Sequence, residues 1–219
     1  MGWLTVEPTT HALSMAGVDL LSAQPPIVRV EVAREVVVVL SRSRDPRREA
    51  DLDRCRADRV PIVVRPSGGG AVLLAPGVVV ASVLAAAAGN TYAPGPLFAR
   101  FGEAVASALG SVGAHDVRMR GVSDLCNGDR KLAGSSLRLW AGRVLYQVSV
   151  LVDVDVSLIE RYLALPSRQP DYRAGRSHRD FVVTLRELGC GVSREEAAAS
   201  LHRHLTEAGV PLRAAGPDV

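Results

Sequence analysis

Apolar and polar positions along this chain fall into short alternating or unbroken runs separated by charged and Gly/Pro-rich breaks. Residues 12–23 read as a helix stopped by Pro25-Pro26. Val28-Arg29-Val30-Glu31-Val32 alternates with period two, and Val36 to Leu40 is continuously apolar; both predict strands of one sheet. The charged stretch 47–58 predicts a helix with Leu52 and Cys55 on one face. Ile62-Val63-Val64 predicts a short buried strand that runs into Arg65-Pro66-Ser67-Gly68-Gly69-Gly70. Ala71 to Leu74 and Val78 to Leu84 are again strand-like, broken at Pro76-Gly77.

Pro94-Gly95-Pro96 opens a helix through about residue 112, with Phe98, Phe101, Val105, Leu109 and Val112 at helical spacing. Strands are expected at 116–126, 129–139 and 143–153, joined by Asn127-Gly128 and Ala141-Gly142, because Asn-Gly between strands is a strong hairpin signal. Ser157 with Glu160, and Ser193 with Glu196, have the spacing of capping boxes, and Pro166 ends the first of these helices. A further helix is expected at 180–188, and an irregular tail from Gly209. With no internal repeat or evident linker, the pattern predicts one α+β domain over residues 1–219, built on a largely antiparallel sheet.

Composition narrows the function. The 219 residues are 47% apolar but only 4% aromatic, so the core must be built mainly from Ala, Val and Leu. Net charge is +3, with one arginine cluster at Arg42, Arg44, Arg47 and Arg48. Without a dense basic stripe interleaved with aromatics, nucleic acid is not an expected partner. No apolar run reaches the roughly 18 residues a membrane helix needs, and the first residues carry no signal-peptide pattern. Three scattered cysteines, Cys55, Cys126 and Cys190, have no metal-ligand spacing, so no protein-held metal is expected and the setting is cytoplasmic. Of the 26 Lys+Arg residues, 25 are arginine and one, Lys131, is lysine.

That skew directs attention to Lys131. A compact ammonium differs from a guanidinium where one point charge must reach one oxygen. If Asn127-Gly128 forms a two-residue turn, Asp124 stands directly opposite Lys131, and Asp124, Cys126, Asp129, Lys131 and Ala133 share one face. The second chemical feature is Gly68-Gly69-Gly70, where backbone N–H groups can meet an anion without a Cβ in the way and Arg65 adds a planar cation. It is not a P-loop, because no Gly-Lys-Ser/Thr follows.

Together these motifs, Arg65-x-Ser67-Gly68-Gly69-Gly70-Ala71-Val72 and then Asp124…Gly128-x-x-Lys131-x-x-Gly134-Ser135, resemble the lipoate–protein ligase A/octanoyltransferase family. Those enzymes share the catalytic domain of biotin protein ligases. The resemblance covers roughly residues 10–205 and implies a mixed sheet flanked by helices, forming one catalytic domain with no C-terminal accessory domain. It implies a ligase that joins lipoate or octanoate to ATP, with Mg2+, as acyl-AMP, and passes the acyl group to a lysine of a lipoyl domain. It places Lys131 and Asp124 at the reaction. It places Arg65, Gly68, Gly69, Gly70, Ala71, Val72, Leu73, Gly134 and Ser135 around the nucleotide and acyl chain. An acyl carrier protein and a separate accessory subunit are further partners it brings into view.

Several positions depart from the family pattern: Val64 in place of a second arginine, Leu74-Ala75 in place of His-Asp, Ser123 in place of Asn, and Leu137 in place of Gln. Three other readings stand beside the ligase. An ATP-independent octanoyl- or lipoyltransferase would use Cys126 as nucleophile. A biotin ligase would lack its DNA-binding module here. A partner-binding paralogue would keep the fold without turnover. The polar segment 169–180, with Tyr172, Arg173, Arg176 and His178, reads either as a solvated loop or as a cover for the nucleotide.

Overall fold

The computed structural model describes residues 6–87, 93–166 and 168–209; the tail beyond Gly209 lies outside them. Its strands are β1 (Ile27–Val32), β2 (Val37–Ser41), β3 (Ile62–Arg65), β4 (Val72–Leu74), β5 (Val78–Ala86), β6 (Val117–Arg120), β7 (Asp124–Asn127), β8 (Arg130–Trp140) and β9 (Arg143–Leu151). The helices are α1 (Thr10–Met15), α2 (Pro46–Glu49), α3 (Leu52–Ala57), α4 (Pro94–Gly110), α5 (Val156–Tyr162), α6 (His178–Phe181) and α7 (Arg194–Gly209). None of these helices is long and apolar enough to cross a membrane.

The strands form two sheets. The larger has the order β1-β5-β9-β8-β7-β6, with every neighbouring pair antiparallel. The smaller has the order β3-β2-β4, with β2 parallel to β3 and antiparallel to β4. The expected mixed, largely antiparallel architecture with flanking helices is therefore present. One expectation changes: β1 and β2 belong to different sheets, since β1 pairs with β5 while the fully buried β2 lies between β3 and β4.

β5 explains how the layers hold together. Val78 and Val80 pack into one core with the small sheet, α1, α3 and α5. Val79, Ala81, Val83 and Ala85 pack on the other face against α4 and α7. Phe101 of α4 stacks on Tyr146 of β9 at 4.7 Å between ring centroids. Each such fully buried aliphatic or aromatic side chain contributes about 1.5–3 kcal/mol.

Several elements are shorter than their apolar patterns predict. The helix expected over 12–23 breaks at Gly17, whose φ of +70° ends α1; a Cβ there would sit 2.6 Å from Gln147 Nε2. The helix expected over 47–58 splits into α2 and α3 where Ala50 bridges to Leu163. The strand expected over 116–126 turns back at Gly121, φ +64°, to make the β6–β7 pair. The cap of α5 is Asp155, accepting from Ser157 N, rather than a Ser157–Glu160 box, and α5 ends at Tyr162, before Pro166. The Ser193–Glu196 box does form, with Ser193 N and Glu196 N each donating to the other's side chain. The helix expected over 180–188 stops at Phe181, because Val182 pairs with Lys131 and Val183 N donates to Lys131 O at 2.9 Å.

Gly77 turns the chain between β4 and β5 at φ +105°, and a Cβ there would lie 2.4 Å from Val154 N. Backbone on one side and a left-handed φ on the other leave a side chain no low-energy position. Gly77→Ala is expected to destabilise the protein by about 2 kcal/mol or more, read as a lowered urea midpoint with unchanged slope.

Candidate active site

The β7–β8 hairpin carries the lone lysine, and its register differs from the sequence expectation. The two central turn residues are Gly128 and Asp129, with Gly128 at φ +58°, so Asn127 pairs with Arg130 and Cys126 with Lys131. Glycine at the first central position suits a primed hairpin turn. A β-bulge then shifts the register, so that Leu125 pairs with Ala133 and Asp124 with Gly134. The bulge leaves both Leu132 and Ala133 buried in the α4/α7 core.

Lys131 consequently does not face Asp124 directly. It crosses Gly134: a Cβ on Gly134 would lie 2.8 Å from both Lys131 Cε and Nζ. Over that bare Cα, Lys131 Nζ reaches Asp124 Oδ1 at 2.7 Å. The expected ion pair is present, but it is made diagonally, through a bulge and a glycine. The other oxygen, Asp124 Oδ2, accepts from Tyr172 OH at 2.7 Å.

The Gly-rich segment leaves β3 and enters β4. Arg65 is buried, and its Nη2 donates to Gly68 O and Gly70 O, both at 2.7 Å, while Nη1 donates to Val39 O at 3.4 Å. Arg65 thus shapes the loop by holding its carbonyls. Burial, then the nearby Arg44 charge, pushes its pKa down to about 10, which still leaves a cation at neutral pH. Gly69 sits at φ +102° beside this guanidinium, with room for a Cβ only 2.9 Å from Arg65 Nη2. Ser67 Oγ and Ser136 Oγ, 2.9 Å apart, and Arg138 Nη1, donating to Pro66 O at 2.9 Å, pin the loop to β8.

Between the loop and the hairpin lies a cavity of about 420 Å³. Lys131, Asp124, Arg65, Gly69, Gly70, Ala71, Val72, Gly134 and Ser135 all line it. Leu73 lines an adjoining chamber of about 100 Å³, which also touches Lys131 and His178. Gly68 borders neither described cavity and instead supplies a carbonyl to Arg65. The inner wall is apolar, with Met15, Ala16, Val39, Val80 and Val148.

The segment after α5 forms the remaining wall, through Arg168, Gln169, Pro170 and Arg173. Arg173 borders both chambers, is 3% exposed, and stacks over Phe181 at 4.6 Å, yet its Nη2 has no hydrogen-bond partner. A buried unmatched guanidinium donor is suited to an anionic ligand. His178 is buried with Nε2 3.1 Å from Ala164 O, and burial pushes its pKa down. The Cys126 thiol is buried too, and its pKa is raised, first by that burial, with Tyr172 OH 3.5 Å away. Tyr172 and Arg173 are the two residues to which spacing alone assigns no role. Their signal was an arginine-rich turn between helices, indistinguishable in sequence from a solvated loop. Among the described residues, no cluster of three or more His, Cys, Asp or Glu is arranged to hold a metal.

The family model described as lipoyl protein ligase A/B catalytic domain matches residues 11–206. A lipoate–protein ligase of Streptococcus pyogenes serotype M5 (strain Manfredo) is 30% identical over 139 residues, 64% of this chain but only 40% of that relative's length. Among solved structures, a bipartite lipoate protein ligase from Thermoplasma acidophilum, described with its E2 lipoyl domain, superposes with a TM-score of 0.77 at 23% identity, covering 94% of this chain and 81% of that one. A lipoate–protein ligase A bound with ATP gives 0.75 at 22% identity, covering 94% and 83%. Because that family model spans residues 11–206, nearly the whole chain, the chain belongs to the lipoyl protein ligase A/B catalytic-domain family.

Proposed function

We propose that this protein activates lipoate or octanoate with ATP and transfers the acyl group to a lysine of a lipoyl domain. The observation that carries this reading is the Lys131 ammonium, held 2.7 Å from Asp124 on the wall of a 420 Å³ cavity that the Gly-rich loop closes from the other side. In the first step a carboxylate oxygen attacks the α-phosphorus of ATP. An acyl–phosphate bond forms and pyrophosphate leaves. In the second, the acceptor's ε-amine attacks the acyl carbonyl, an amide forms, and AMP and a proton leave. Negative charge develops on carbonyl and phosphate oxygens in both steps, and Lys131 is the fixed cation that meets it. The backbone of Gly69 to Leu73, with Gly134 and Ser135, borders the nucleotide and acyl chain, and Asp124 orients the ammonium.

The donor set suits this ligand class. The unmatched Nη2 of Arg173 adds a second positive contact for a carboxylate or phosphate. The apolar inner wall favours a hydrocarbon tail by about 0.8 kcal/mol per buried methylene. Mg2+ enters this scheme on the phosphates of ATP, as part of the substrate. A lipoyl domain is the acceptor class supported by the Thermoplasma ligase, which is described with one. Three cysteines, none of them in a disulfide, support a reducing, cytoplasmic setting. The catalytic unit in this reading is the matched stretch 11–206.

A cysteine-based transfer fits the site less well, because burial raises the Cys126 pKa and disfavours the thiolate that attack requires. Cys126→Ser is expected to keep acyl attachment to a lipoyl domain within about threefold of wild type, since the buried group serves packing. Loss of attachment in that variant, with transfer from octanoyl-acyl carrier protein intact in the wild type, would overturn the ligase reading. Lys131→Ala should abolish attachment in a folded protein, and Lys131→Arg should lose most of it, because a planar fork cannot occupy the path over Gly134. Gly134→Ala separates position from charge. The added methyl displaces only the mobile end of Lys131, so stability should hold within about 0.5 kcal/mol while kcat drops at least about tenfold. Full activity in Gly134→Ala would contradict the role given to Lys131.

A further inference from the structure

The Asp124 carboxylate is a two-handed group, and the structure shows what fills each hand. Lys131 takes Oδ1 and Tyr172 takes Oδ2, both at 2.7 Å; among the described residues no other side chain bonds to it. A carboxylate held at one oxygen can rotate about its bond to Cβ. Held at both, it presents a fixed oxygen to the ammonium. On the side where a wall would otherwise stand, Gly134 has no side chain, so the direction of Lys131 depends on its hydrogen-bond partner rather than on packing.

Tyr172 is itself immobilised. Its ring lies 5.4 Å from that of Phe181, under the Arg120 guanidinium at 4.3 Å. Its backbone carbonyl accepts from Arg176 Nη2 at 2.9 Å, and the same Arg176 side chain donates to Asp129 Oδ2 at 3.0 Å and Asp129 O at 2.9 Å. Arg176 therefore straps the 170–176 turn to the tip of the hairpin that carries Lys131. The tyrosine remains the donor toward Asp124, since burial and then the adjacent carboxylate push its pKa well above the usual phenol range. The turn bearing Tyr172 also supplies Arg173 to both chambers of the cavity.

We propose that Tyr172 is a positioning residue: by holding the second oxygen of Asp124 it aims the Lys131 ammonium and couples that aim to the 170–176 turn that walls the cavity. This rests on the functional reading above for its consequence in turnover, but the linkage to Lys131 is a property of the protein alone. The segment is thus more than a cover, because its seating and the placement of the ammonium are one arrangement.

Tyr172→Phe removes the hydroxyl and keeps the ring, its contact with Phe181 and its place beneath Arg120. Lys131 is the chain's one lysine, so its reaction with an amine-selective acylating reagent is followed at a single peptide by mass spectrometry. The expected result is several-fold faster labelling of Lys131 in Tyr172→Phe. In lipoyl-domain acylation it is accompanied by a kcat about tenfold lower or more, the scale of one lost hydrogen bond to a charged group, with KM for lipoate little changed. Wild-type labelling and wild-type kcat in Tyr172→Phe would overturn the proposal, as would a raised KM with unchanged kcat, which would make Tyr172 a binding contact only. If the wild type acylates nothing, the functional reading fails, while the labelling rates still decide the role of Tyr172.

Discussion

A single ion pair across a glycine organises this site. Lys131 and Asp124 are not opposite one another in the β7–β8 ladder, and a regular hairpin would put Lys131 and Gly134 on opposite faces. The bulge at Leu125/Cys126 changes that parity, and the absence of a side chain at Gly134 leaves the channel through which the ammonium reaches Asp124 Oδ1. Position here depends on backbone irregularity more than on charge. The pair is half-buried, so the cost of desolvating both charges offsets much of their attraction and its net contribution to stability is small. Its value lies in where it holds one ammonium relative to the cavity.

The surroundings converge on that placement. The Gly-rich loop is shaped from behind by Arg65 and anchored to β8 through Ser67–Ser136 and Arg138, so loop and hairpin are fixed to the same strand. On the outer side, Arg176 fastens the 170–176 turn to Asp129, and Val182–Val183 pair along Lys131 itself. Arg65, Arg138 and Arg176 do much of this structural work, through planar guanidinium groups that donate to carbonyl and carboxylate oxygens. The compact ammonium stands at the position where it passes directly over the bare Cα of Gly134.

Much of this was legible in the residues. The Lys131-x-x-Gly134 spacing, the Gly-rich run after Arg65 and the unique lysine are all visible without coordinates, and so are most strands. The errors have physical causes. Asn-Gly points to a turn centred one residue early, and no local pattern announces a bulge, so the direct Asp124–Lys131 pairing it implies gives way to a diagonal contact. The long apolar stretch at 12–23 hid the break at Gly17, which follows from the close approach of Gln147, a residue 130 positions away (147 − 17). Helix signals at 180–188 lost to a β-bridge with Lys131 that only tertiary packing supplies. Tyr172 and Arg173 are legible only as members of a polar segment that reads as loop or cover, because their partners, Asp124 and the cavity wall, lie far away in sequence.

The most direct test of the central claim, that this cavity stabilises an acyl-adenylate, is isotope exchange between pyrophosphate and ATP in the absence of any acceptor protein. The account predicts exchange that requires lipoate or octanoate as well as the enzyme and Mg2+. Absence of exchange from a folded protein that nevertheless transfers octanoyl groups from acyl carrier protein to a lipoyl domain would contradict it.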